Sequence, residues 1–129
     1  MRSWPHFTYR ELQCKCYGEF CNGGDMDDEF MEKLEKIRTT FGRPMRVTSG
    51  FRCPEYNNRH AATGLTGPHT TGKAIDILIS GREAFDLLWI IMNQDYMRGL
   101  GFNQKGPHAS RYMHIDSLRE GLRPWIWSY

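Results

Sequence analysis

His69, Asp76 and His114 are the residues of this 129-residue chain whose types and spacing could do chemistry. His69 and Asp76 flank Thr70-Thr71-Gly72-Lys73-Ala74-Ile75, a polar loop running into an apolar strand. A histidine and a carboxylate at the start of a buried strand are costly unless paired or bound to metal. Zinc ligands must approach one another within roughly 3 to 4 Å, whereas seven extended residues span about 23 Å. The chain must therefore fold back between His69 and Asp76, and Gly72 supplies the freedom to do so. In His114-Ile115-Asp116, alternation puts His114 and Asp116 on one face of a strand and Ile115 on the other. Two imidazoles, one carboxylate and an open fourth position suit a catalytic zinc rather than a closed structural one. Such a zinc brings the pKa of a bound water toward neutrality. The plainer alternative is a set of hydrogen-bonded structural histidines.

A second cluster is formed by Cys14, Cys16 and Cys21, with Cys53 farther along. Three readings stand open for these four: a second zinc site, two disulfides, or reduced thiols. The Cys-x-Cys spacing is tighter than the usual zinc pattern, and the absence of a secretory signal in residues 1–7 lowers the weight of disulfides.

The elements that must position these residues read as follows. Thr8 and Glu11 match a capping box for one short helical turn. Phe30, Met31, Leu34, Ile37 and Phe41 recur at helical spacing, with Asp27 or Asp28 as N-cap and Gly42 at the C-terminal end. Residues 44–49 alternate as a half-buried strand. Residues 54–68 read as a long loop with one helical turn, a length that is commonly functional. A strand over 74–79 is followed by a helix from Arg82 to about Asn93, with Phe85, Leu88, Trp89 and Met92 as its expected inner face. Strands over 99–102 and 111–116 are separated by a turn. The aromatic tail, residues 123–129, is expected to pack against the body, with Trp125 and Trp127 as a candidate aromatic wall. The whole predicts one α+β domain over residues 1–129: a small, mainly antiparallel sheet with helices packed on one side.

Composition narrows the function classes. The net charge of +2 comes from 17 basic and 15 acidic residues mixed along the chain, so no nucleic-acid footprint is present. No stretch approaches the roughly 18 apolar residues of a membrane span. Synthesis in the cytoplasm without a signal peptide, and a monomer, are expected.

Ser49-Gly50-Phe51-Arg52, Pro54-Glu55-Tyr56-Asn57, His69-x-x-Gly72-x-Ala74-x-Asp76 and His114-Ile115-Asp116 together resemble the motifs of the D-Ala-D-Ala zinc metallopeptidases. These are carboxypeptidases and peptidoglycan endopeptidases on a hedgehog-like fold, and the resemblance spans roughly residues 6–118. It implies His69, Asp76 and His114 as zinc ligands, Arg52 on a substrate carboxylate or carbonyl oxygen, and bacterial peptidoglycan peptides as substrate. Tyr56 and Asn57 are candidates for lining the cleft. The chain departs from the family pattern at the general base. Arg111 stands where many members carry an acid, and Tyr112 where others carry a histidine. Asp116 and His108 are the candidate proton acceptors, Asp116 alternatively orienting His114. The function implied is hydrolysis of peptidoglycan amide bonds, with a phage-type release onto the cell wall. The competing class is a non-catalytic zinc-stabilised module on the same fold.

Overall fold

The computed structural model describes residues 2–129. Its helices and strands follow in the order α1 (Tyr9–Leu12), α2 (Asp28–Phe41), β1 (Arg46–Ser49), α3 (Pro54–His60), β2 (Ala74–Leu78), α4 (Gly81–Met92), β3 (Gly99–Asn103), β4 (Tyr112–Asp116) and β5 (Trp125–Ser128). Short 3-10 turns at Pro68–Thr71 and His108–Ser110 precede β2 and β4. The strands form one sheet in the order β1-β2-β4-β3-β5. All neighbours are antiparallel except β3 and β5, which run parallel.

Local chemistry accounts for the helix ends. Thr8 and Glu11 form the reciprocal capping box of α1. The Asp27 carboxylate accepts from the Phe30 N–H at 2.9 Å, and Gly42 ends α2 in the left-handed conformation that glycine tolerates. Phe30, Met31, Leu34, Ile37 and Phe41 are buried as their spacing predicts.

Strand alternation separates the two faces of the sheet. Ile75 and Ile77 of β2, Met113 and Ile115 of β4, and Leu100 of β3 join the buried faces of α2 and α4 in one apolar core. The intervening residues, Asp76, His114 and Asp116, look the other way. The register then lines up Ser49, Asp76, His114, Gly101 and Trp127 as successive cross-strand partners from β1 to β5. Residues opposite each other share a face, so this row becomes the floor of a cleft.

Two expectations need correction, and a third holds with added detail. Residues 54–60 form a regular helix, α3, started by Pro54 at a position where its missing N–H costs nothing. In α4 the buried residues are Ala84, Leu87 and Ile91, while Phe85, Trp89 and Met92 are exposed. Both stripes of α4 are apolar at helical spacing, and the smaller one fits against α2. The aromatic tail does pack on the body, but as the parallel edge strand β5. Among the described residues, no helix is long and apolar enough to cross a membrane.

The two stripes of α4 separate by mutation. Leu87→Ala should lower the unfolding free energy by roughly 2–5 kcal/mol, and Phe85→Ala by less than about 0.5 kcal/mol, in urea titrations.

Candidate active site

His69 sits on the 3-10 turn before β2, with Gly72 closing that turn at φ +75°. A Cβ on Gly72 would meet the backbone of Asp25 and Asp27 at 2.9 Å, so glycine is needed there for space as well as conformation. The fold-back required between His69 and Asp76 is made here. His69 and His114 pack edge to face with ring centroids 5.0 Å apart, and Asp76 lies between them. One donor atom each from His69, Asp76 and His114 falls within a 4.8 Å group, and all three residues are buried.

Hydrogen bonds fix which ring atoms face inward. The Gly50 carbonyl, 2.8 Å from His69 Nδ1, can only accept, so Nδ1 carries the proton and Nε2 presents a lone pair. That lone pair lies 3.2 Å from Asp76 Oδ1. His114 Nδ1 lies 3.0 Å from the same oxygen, while its Nε2 lies 2.8 Å from Asp116 Oδ2. With Nε2–H donating to Asp116, His114 Nδ1 also presents a lone pair to Asp76. Acceptors converging on one buried carboxylate oxygen call for a cation among them. The separations match the roughly 3.3 Å edge of a tetrahedron of nitrogen and oxygen ligands about zinc, so the donor set fits that ion. Burial raises the Asp76 pKa, but the two imidazoles, whenever they carry a proton toward it, outweigh burial and hold the carboxyl below the ordinary carboxylate range; a bound cation takes the place of those protons.

Arg52 reaches the site from the turn after β1. Its Nε donates to Ser49 Oγ at 3.0 Å, Nη1 to Asn57 Oδ1 at 3.1 Å and Nη2 to Asp76 Oδ2 at 3.3 Å. The Ser-Gly-Phe-Arg motif is thus a brace that presents a planar guanidinium beside the three donors.

Asp116 is fully buried and saturated. Besides His114 it accepts from Arg123 through Nε at 2.9 Å and Nη2 at 2.8 Å, and from the Leu118 N–H at 3.3 Å. Burial pushes its pKa up, yet His114 and Arg123 bring it below the usual value. A carboxylate so engaged orients a ring; it has no free face toward a substrate. Gly99 makes room for it, since a Cβ there would overlap the carboxylate.

The donors open into a cleft of about 860 Å³ whose lining includes Arg52, Tyr112, Leu122, Trp125, Trp127 and Tyr129. Trp127 packs on His114 with ring centroids 5.1 Å apart and planes tilted by 49°, and lies across Gly101, where a Cβ would stand 2.5 Å from the indole Nε1. Tyr129 packs on Tyr112 at 5.1 Å, and burial pushes its hydroxyl up to about 12.

Several residues singled out in the sequence lie elsewhere. His108 lines a separate pocket with Pro44, Ile79 and Glu83, because the 3-10 turn before β4 directs it away from the cleft. Tyr56 packs against the cysteine cluster and His60. Asn57 is buried and holds Thr63 Oγ1 and the Gly64 carbonyl as well as Arg52, so it braces the loop instead of lining the cleft. Conversely, Arg123, Tyr129 and His60 border the site without having been singled out for it. The need of a buried Asp116 for a cation was the one sequence signal pointing toward Arg123. The four cysteines do come together, apart from the cleft.

A family model described as Peptidase M15 matches residues 5–116. The chain belongs to that family, whose membership supports a hydrolase acting on peptide bonds. No match is found among curated proteins. Arg123, Trp125, Trp127 and Tyr129 all lie beyond the matched residues, so the C-terminal strand adds a wall that the family match does not cover.

Removing Arg123 strands a buried charge. Arg123→Met should lower the unfolding free energy by roughly 3 kcal/mol, and Arg123→Lys should recover part of it, read by denaturant titration.

Proposed function

We propose that the chain is a zinc-dependent peptidase that hydrolyses amide bonds in peptidoglycan stem peptides or cross-bridges. The observation that carries this reading is the convergence of His69 Nε2, Asp76 Oδ1 and His114 Nδ1 at the floor of an open cleft. Membership of the Peptidase M15 family supports it, and the motif resemblance supplies the substrate class. Zinc held by these three residues supplies Lewis acidity and lowers the pKa of water toward neutrality.

The chain's own residues do the rest. The Gly50 carbonyl and the Asp116–Arg123 pair fix the two imidazoles in the tautomers that turn lone pairs inward. Arg52, held by Ser49 and Asn57, offers N–H groups to a substrate carboxylate or to carbonyl oxygen as negative charge develops. Leu122, Trp125, Trp127 and Tyr129 form an apolar wall that seats the peptide and excludes water. The proton acceptor would come from the groups that line the cleft. His60 is the imidazole there outside the three donors. Release onto a cell wall by a phage-type route fits this substrate.

A second reading, a non-catalytic zinc-stabilised binding module, is favoured by one observation. Among the described residues that line the cleft, Asp76 is the only acidic side chain, and Asp116 is locked behind His114.

Purified peptidoglycan incubated with the protein discriminates the two. The peptidase reading predicts new amino termini, lost on chelation and restored by zinc, and lowered more than about 100-fold in His69→Ala or His114→Ala. Zinc-loaded protein that binds the wall and releases no amino termini selects the binding module. His60→Gln should lower kcat and reshape the acid limb of the pH profile if His60 takes the proton.

A further inference from the structure

Cys14, Cys16, Cys21 and Cys53 have no part in the cleft, yet their sulfurs all lie within 4.8 Å of one another. Cys14 Sγ and Cys53 Sγ are 3.7 Å apart, and Cys16 Sγ and Cys21 Sγ 3.6 Å. Four thiolates at about 2.3 Å from a zinc ion form a tetrahedron with edges of about 3.8 Å. The two separations are therefore those of ligands sharing one ion.

The surrounding backbone is built toward the sulfurs. The Cys53 N–H donates to Cys14 Sγ at 3.3 Å, and the Gly23 N–H to Cys21 Sγ at 3.4 Å. Such N–H groups favour the charged thiolate over a neutral thiol. Between Cys16 and Cys21 the chain doubles back through Tyr17 at φ +52° and Gly18 at φ +89°. Tyr17 is 77% exposed, so burial of its own side chain does not compensate its left-handed conformation. What the strained turn achieves is the meeting of Cys16 with Cys21. A cluster of buried thiols acting only as small apolar groups would need neither the turn nor N–H groups aimed at sulfur.

We propose that Cys14, Cys16, Cys21 and Cys53 hold a single tetrahedral zinc ion in a closed structural site. The ion joins the segment after α1 to the residue that caps α3. Cys53 directly follows Arg52, and the Phe51 N–H bonds the Leu12 carbonyl at 2.9 Å. The site thus fixes the turn from Gly50 to Cys53, which supplies both the carbonyl that orients His69 and the Arg52 guanidinium. Its role is to position these groups, and its existence does not depend on the hydrolytic reading.

The test uses the full chain purified under reducing conditions, with a His69→Ala/His114→Ala double variant that removes the cleft donors. The double variant should retain one zinc per chain by elemental analysis. Its four cysteines should resist a thiol reagent until a strong chelator extracts the ion, and cobalt exchanged into the site should give sulfur-to-metal charge-transfer absorption. Adding Cys14→Ser and Cys53→Ser should abolish retention; the thiol and cobalt readouts stand on the unaltered cysteines even if that variant misfolds. A zinc-free double variant whose four thiols react freely would overturn the proposal, as would iron in place of zinc, or two disulfides in a parallel preparation made without reductant.

Discussion

The registry of β2, β4 and β3 is the constraint on which everything else depends. Side chains alternate with a period of two, so one register puts Ile75, Ile77, Met113 and Ile115 under the helices and Asp76, His114 and Asp116 in the cleft. A slip of one residue would exchange the two sets, placing charged groups in the core and apolar ones in water. The apolar face specifies the register, and the polar face inherits its alignment without cost of its own. Gly99 and Gly101 complete the arrangement on β3, where the absence of side chains leaves space for the Asp116 carboxylate and the Trp127 indole.

Given that alignment, the electrostatics follow from who can donate. Gly50 and Asp116 claim the outward ring protons of His69 and His114, Arg123 balances Asp116, and Arg52 takes the outer oxygen of Asp76. What is left inside is a set of lone pairs on a buried carboxylate oxygen and two nitrogens, an arrangement stabilised by a bound cation. The cysteine cluster and the cleft are coupled through the short turn from Gly50 to Cys53, so the N-terminal third of the chain is part of the site's scaffold.

Much of this was legible in the residues themselves. The paired His and Asp around Gly72, the i and i+2 relation of His114 and Asp116, and the stripe of α2 each rest on local geometry that spacing encodes. Non-local features were not legible. Helix α4 carries two apolar stripes, and only the surface of α2 decides between Leu87 and Phe85. Arg123 meets Asp116 seven residues later because Trp125–Ser128 pairs with β3, and nothing in the tail's composition specifies a parallel edge strand. Asn57 and Tyr56 sit in the expected motif, yet the regular turn of α3 points Asn57 at Arg52 and Tyr56 at the cysteines. His108 is a candidate proton acceptor in the sequence, and the 3-10 turn it opens sets it in a pocket apart from the cleft.

Anomalous diffraction at the zinc edge from crystals of the zinc-loaded chain tests the central claim most directly. The account predicts a peak in the cleft bonded to His69 Nε2, Asp76 Oδ1 and His114 Nδ1. A zinc-loaded crystal with no peak there, or with the ion bound through His69 Nδ1 or His114 Nε2, would contradict it.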